Sequence, residues 1–156
     1  MNRRTDREIA LHESCHAYAA IWKGCKVYYL TIRQDGEKQG ACEHDSPNTR
    51  WAAAVIAAAG AQGARLMMLD TLRKPGIDWL SDSDVTYVSD NCPSGRSHMG
   101  WFSAVNKEAR RIVKQGRKVI EALADALEEA RELDASQIQE IVSAADPRLS
   151  PPPIRF

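Results

Sequence analysis

The sequence predicts a mainly α-helical domain with one small β-hairpin. Apolar residues recur at helical spacing in three long segments, namely 6–22, 50–70 and 103–133. Residues 26–44 differ, because two runs rich in strand-forming residues flank a turn at Gly36. The hairpin interrupts an otherwise helical pattern, and this combination defines the fold class that we expect.

The first predicted helix carries the pattern His-Glu-x-x-His at residues 12–16. On a helix, His12 and His16 project from one face one turn apart, so both imidazoles can bind a single Zn²⁺. Glu13 follows His12 directly and can act as general base beside the open position of such a metal. This spacing of residue types is typical of zinc peptidases.

A short pattern of this kind also arises by coincidence, so its context matters. The flanking residues are good helix formers, Thr5 or Asp6 can cap the start of the helix, and Gly24 can end it. Two histidines on a buried helix face also cost desolvation free energy unless something binds them. We therefore expect a real metal site in which His12 and His16 are ligands.

The predicted hairpin has a strand over 26–33, a turn in which Gly36 takes a positive φ, and a short strand over 38–44. An edge strand next to a zinc helix can hold an extended peptide by backbone hydrogen bonds. An ordinary hairpin that only covers the core fits the same residues. Both roles stay open from the sequence.

Residues 50–70 predict a buried helix, because they are apolar on nearly all sides and mostly small. Gly60 and Gly63 lower the helix propensity of this segment, so we expect them to allow the close approach of another helix. The expected neighbour is the helix that carries His12 and His16.

The second half of the chain is predicted to continue as helices joined by loops. The predicted segments are, in order, a loop over 71–80, a capped helix from 81, a polar loop over 90–101 and a helical stretch over 103–133. Gly116 lies on the apolar stripe of that stretch, either as a close contact or as a break between two helices. Asp134 and Gln137 have capping-box spacing and open a last helix through Ala145.

Catalytic zinc normally takes three protein ligands and keeps one position open. The motif supplies two, and the HExxHxxGxxH extension is absent, since Ala19 and Trp22 stand at its positions. The third ligand must therefore come from a later segment that packs against the first helix. The acidic candidates are Asp78, Asp82, Asp84 and Asp90.

Five segments resemble, in the same order, the peptidase domain of the FtsH-type AAA+ proteases, without their ATPase and membrane segments. They are 9–19 (the AxHExGHA helix), 30–40 (the vtIxPRGxxxG hairpin), 58–65 (the lgGrxAE helix), 82–89 (the GAxxDlxxAT helix) and 123–138 (the closing helical segment). The resemblance runs over nearly the whole chain. It implies a helical zincin fold with the HExxH pattern on the first helix.

The resemblance implies that Asp84 is the third zinc ligand, because it precedes the aliphatic Val85 as the family motif requires. Asp82 is the fallback if the register shifts. The departures from the family pattern are Gln34-Asp35 in place of Pro-Arg, Ser81 and Cys15 in place of glycines, and Ala64 or Arg65 in place of an acidic residue. None of them removes a predicted metal ligand.

The resemblance also implies an activity. A zinc metalloendopeptidase domain over 1–146 would hydrolyse peptide bonds of unfolded or flexible proteins, with Zn²⁺ on His12, His16 and Asp84 and with Glu13 as general base. The chain has no GxxxxGKS/T phosphate-binding loop, so it would be ATP-independent in itself. A separate ATPase that unfolds substrates, and a homo-oligomer like the rings of the family, are open as partners.

Two alternatives to this activity stay open. One is a regulatory zincin of a different family that cleaves one specific target and uses a glutamate as third ligand. The other is a catalytically degenerate module of the same fold that only binds a partner. The identity of the third ligand distinguishes the first alternative from the FtsH-type assignment. The presence of bound zinc distinguishes the second alternative from an active peptidase.

Composition and charge argue against other classes. The 21 basic and 21 acidic residues balance, so we expect neither a nucleic-acid partner nor a membrane partner. The longest apolar run, 51–61, is shorter than the about 20 residues that span a bilayer. The four cysteines form no CxxC pair and no secretory signal is visible, so we expect a cytoplasmic protein with reduced thiols. After the domain, we expect 147–156 to be an extended or disordered tail.

Overall fold

The computed structural model describes residues 5–36, 38–69 and 82–149. Its helices and strands are α1 (Asp6–Trp22), β1 (Val27–Asp35), β2 (Lys38–His44), α2 (Arg50–Leu69), α3 (Asp82–Asp90), α4 (His98–Gln115), α5 (Arg117–Ala130), β3 (Glu132–Asp134) and α6 (Ala135–Ala145), followed by a 3-10 turn at Pro147–Leu149. The predicted mainly helical fold with a small antiparallel sheet is confirmed. The predicted loop over 71–80 and the tail from 150 lie outside the described residues.

Helix α1 is the central element of the core. It begins at the N-cap Thr5, whose hydroxyl accepts a hydrogen bond from the Glu8 backbone, while the Glu8 carboxylate accepts one from the Thr5 backbone. Every residue from Glu8 to Ala20 is buried, because α2, α4, α5 and the sheet all pack against this helix. The chain leaves α1 through Gly24 at a φ of +85°, as the sequence predicts. The centre of the core therefore holds residues 12–16.

The sheet has three strands in the order β2-β1-β3, with both pairs antiparallel. The hairpin of β1 and β2 turns at Gly36, whose φ is +61°, as predicted. The third strand is a correction, because the sequence predicts helix up to residue 133. Arg131 takes a left-handed φ of +69° and ends α5, and Leu133 then enters the core beside Leu30 on β1.

The small residues of α2 allow a close contact with α1, as predicted. A Cβ built on Gly63 would lie 2.9 Å from the Cβ of Cys15 on α1 and 2.9 Å from Val113 on α4. Gly60 faces His12 and His16 in the same way. The backbone of α2 thus runs directly against the histidine face of α1.

The predicted loop over 90–101 is too long, because α4 already begins at His98. The N-cap is Ser97, whose hydroxyl accepts a hydrogen bond from the Gly100 backbone. Trp101 is buried in the first turns of α4, and its indole N–H donates to the Val88 carbonyl at 2.8 Å. The polar and glycine-containing composition of this segment conceals its helix start from sequence patterns.

The predicted helical stretch over 103–133 is divided at Gly116 into α4 and α5. Gly116 is also a close contact, since a Cβ there would overlap the Tyr18 ring of α1. Gly116 is therefore both a close contact and the break between two helices. The last helix, α6, begins with the predicted capping box of Asp134 and Gln137.

The four cysteines are all free. Within the described ranges, no helix combines the length and the apolar character needed to cross a membrane.

Replacing Gly116 with alanine should destabilise the fold, because the new Cβ would overlap the Tyr18 ring. Overpacking of this kind costs about 1–3 kcal/mol of unfolding free energy, which urea denaturation measures. Gly100→Ala is the matched control: in α4 the nearest atom to a new Cβ lies 3.8 Å away, so stability should stay the same or rise. Equal stability of Gly116→Ala and the wild type would contradict the packing around Tyr18.

Candidate metal centre

Three side chains converge on one point between α1 and α3. The Nε2 atoms of His12 and His16 lie 3.0 Å apart. The Oδ2 atom of Asp84 lies 3.2 Å from His12 Nε2 and 3.5 Å from His16 Nε2. The structure thus brings Asp84, the aspartate that the family resemblance favours, to the two histidines of the motif.

These separations fit a tetrahedral zinc ion. Donors at 2.0–2.1 Å from a tetrahedral metal lie about 3.3 Å from one another, and the observed values of 3.0, 3.2 and 3.5 Å bracket that distance. Two imidazole nitrogens and one carboxylate oxygen are also a donor set that zinc accepts. In the described part of the chain, these residues form the one group of three potential ligand side chains within metal-binding range of one another.

The orientation of His16 is fixed from behind by α2. Its Nδ1 donates a hydrogen bond to the Ile56 carbonyl at 2.7 Å. When Nδ1 carries the proton, the lone pair of Nε2 points toward His12 and Asp84 and is available to a metal. Sequence patterns could not reveal this partner, because a backbone carbonyl has no residue-type signature.

The two imidazole rings meet edge to face. Their centroids lie 4.6 Å apart with an angle of 82° between the ring planes. His12 and His16 are only 5% and 8% exposed, so the rings are held among buried side chains and have little room to rotate. The donor atoms are therefore preorganised for one position of a metal.

The charged groups of the site shift the pKa values of Asp84 and His16. Burial raises the pKa of Asp84, but hydrogen bonds and charges from His12 and His16 lower it by a larger amount. The pKa of Asp84 therefore lies well below its usual range. Burial lowers the pKa of His16, whereas Asp84, Glu13 and the Ile56 carbonyl raise it, to about 9 overall. An ionised Asp84 carboxylate thus faces the His16 imidazole, which attracts a proton, and a divalent metal can take the place of that proton.

Glu13 lies beside the metal position and outside the group of converging ligands. Its Oε1 is 3.9 Å from His12 Nε2, and the residue is 6% exposed. On its other side, β2 passes very close: a Cβ on Gly40 would lie 3.1 Å from the Glu13 Cγ. Gly40 has a φ of +77° and adjoins an irregularity in the pairing of β1 with β2. Sequence reasoning missed this contact, although a glycine inside a predicted strand signals close backbone approach.

Two cysteine thiols near this site have raised pKa values. Burial, and then the charge of Glu13, raise the pKa of Cys15 far above its usual range. Burial and nearby carboxylates also raise the pKa of Cys42 on β2. Because the thiolate is the nucleophile, neither cysteine is suited to nucleophilic chemistry at neutral pH. The reactive groups of the site are imidazoles and carboxylates.

The other acidic candidates do not join this cluster in the part that the structure describes. Asp90 is exposed at the end of α3. Asp78 and the side chain of Asp82 lie outside the described residues. Asp84 is therefore the acidic candidate that the geometry favours.

Comparison of the chain with models of known protein families and with curated proteins found no match. The function of the protein must then be inferred from the chemistry of the site and from the sequence pattern that produces it.

Replacing Asp84 with alanine should sharply reduce zinc binding, because it removes one of three ligands. The measurement is zinc per chain by metal analysis after dialysis against a weak chelator. Asp90→Ala is the matched control, since Asp90 is an exposed aspartate on the same helix, and it should keep the wild-type zinc content. Loss of zinc in Asp82→Ala together with full zinc in Asp84→Ala would contradict the assignment.

Proposed function

We propose that this protein is a zinc metallopeptidase. The observation that carries the proposal is the convergence of His12, His16 and Asp84 at metal-binding distances, with the Glu13 carboxylate directly beside them. Three protein ligands and a neighbouring carboxylate are what a hydrolytic zinc site needs, since the fourth position is left for a water or a substrate.

Within that class, we propose a stand-alone homologue of the FtsH-type peptidase domain. Two features support this narrower assignment. The third potential ligand is an aspartate on a later helix, at the position that the resemblance implies, and a helix of small residues packs behind the histidines. A glutamate in that place would instead have favoured the regulatory zincins of another family.

The side chains of the proposed site have two different chemical roles. His12, His16 and Asp84 would hold Zn²⁺, which when bound polarises a peptide carbonyl and lowers the pKa of a water molecule. Glu13 accepts the proton of the attacking water and delivers it to the leaving amine. Its position next to His12 and away from bulk solvent keeps this carboxylate close to both transfers.

The proposed substrates are extended peptides. In the described part of the chain, β2 pairs only with β1, so its other edge has no strand partner among those residues. That edge belongs to the strand that contacts Glu13 through Gly40. An extended peptide that added to β2 would lie beside the reactive groups and be held by backbone hydrogen bonds. Most segments of a folded protein already have their backbone hydrogen bonds satisfied internally, so the proposed substrates are flexible, already unfolded, or opened by a separate ATPase.

Replacing Glu13 with glutamine should leave zinc binding intact and abolish hydrolysis of an unstructured fluorogenic peptide, with a loss of about 10²–10⁴-fold for removal of a general base. The matched control is Glu140→Gln on α6, which changes an exposed carboxylate and should retain full activity. A chelator should also inactivate the wild type, and added zinc should restore the activity.

Two outcomes would contradict the proposal. A fully active Glu13→Gln protein would exclude the proposed general base. A zinc-loaded wild type that cleaves no flexible peptide and yet captures peptides would favour a binding module with a degenerate site.

A further inference from the structure

We infer that Gly60 on α2 is a positioning residue of the metal centre, because the absence of its side chain makes the space in which the two imidazoles meet. The inference rests on the proposed zinc site. Gly60 touches the ligands themselves and would act on a metal only through them.

The contacts at Gly60 are made with the donor ends of both histidines. A Cβ on this residue would lie 2.8 Å from His12 Nε2 and 2.6 Å from His16 Cε1, and it would be closer still to His16 Nε2. Carbon atoms do not approach other heavy atoms at such distances without displacing them. Any side chain at position 60 would therefore push directly on the atoms that face Asp84.

Other contacts hold the two imidazoles in place against Gly60. His16 is held by the Ile56 carbonyl, one helical turn before Gly60 on the same helix. His12 packs edge to face against His16, and Asp84 lies within 3.5 Å of both Nε2 atoms. One turn of α2 thus orients a ring through its carbonyl at position 56 and leaves room for both rings at position 60.

Gly63 shows that this arrangement is specific to Gly60. A Cβ on Gly63 would also be crowded, but the three atoms nearest to it belong to Cys15 and Val113. Both glycines cost helix propensity relative to alanine. Gly63 serves the packing of α2 against α1 and α4, whereas Gly60 serves the donor atoms of the metal centre.

The test compares Gly60→Ala with Gly63→Ala. Zinc affinity is measured by competition with a chromophoric chelator, and the coordination geometry is measured by the visible absorption of the Co²⁺-substituted protein. Gly60→Ala should weaken zinc binding by about 10–100-fold, the usual effect of disturbing the groups that orient metal ligands, and should change the Co²⁺ spectrum. Gly63→Ala should lower the Tm at least as much, while zinc affinity and the Co²⁺ spectrum stay close to those of the wild type.

A second measurement keeps the inference testable if the variants fold poorly. In the presence of a chelator, Gly60→Ala should have a lower Tm than the wild type. In a background that carries both His12→Ala and His16→Ala, the same change should raise the Tm, because both rings that a Cβ at position 60 would meet are gone and alanine is the better helix former. This reversal reports the contact without any metal.

The inference is overturned if Gly60→Ala binds zinc within twofold of the wild type with an unchanged Co²⁺ spectrum. It is also overturned if Gly63→Ala loses as much zinc affinity, since helix separation would then explain both effects. A Tm that falls equally in the two backgrounds has the same consequence. A wild type that binds no zinc would instead overturn the proposed function, and the reversal of the Tm effect would still show whether Gly60 contacts the two imidazole rings.

Discussion

The contact between α1 and α2 is the constraint on which the candidate metal centre depends. Helix α1 is buried along most of its length, and it can carry two histidines there only because α2 supplies a carbonyl and a side-chain-free surface at the right places. If α2 lay farther away, the Ile56 carbonyl could not reach His16. If Gly60 carried a side chain, the rings would be displaced. The helix packing and the donor geometry are therefore one feature of the molecule.

The polar side chains at this contact are unfavourable for the stability of the fold. Two imidazoles and the carboxylates of Glu13 and Asp84 lie together in or beside the core, where desolvation of charged groups is unfavourable. An apolar cluster of the same volume would pack there without that cost. In the proposed metal site, a divalent cation would compensate the negative charge of these carboxylates.

The sequence predicts the parts of this site that depend on local spacing, and it leaves out those that depend on tertiary contacts. The helix around His12 and the capping box at Asp134 follow from residue types a few positions apart. Asp84 is a different case, because four aspartates fit the same requirement and only the family resemblance selects one of them. The Ile56 carbonyl carries no sequence signal at all. Strand β3 is too short for a periodic pattern, and its formation depends on the left-handed Arg131 and on the existing edge of β1.

X-ray diffraction from zinc-loaded crystals across the zinc absorption edge would show whether one zinc ion binds to His12, His16 and Asp84. We expect a single anomalous peak within about 2.0–2.2 Å of the two Nε2 atoms and one Asp84 oxygen, with Glu13 beside the metal and not among its ligands. A peak at another place, or one whose third protein ligand is a different residue such as Asp82, would show that the proposed zinc site is wrong.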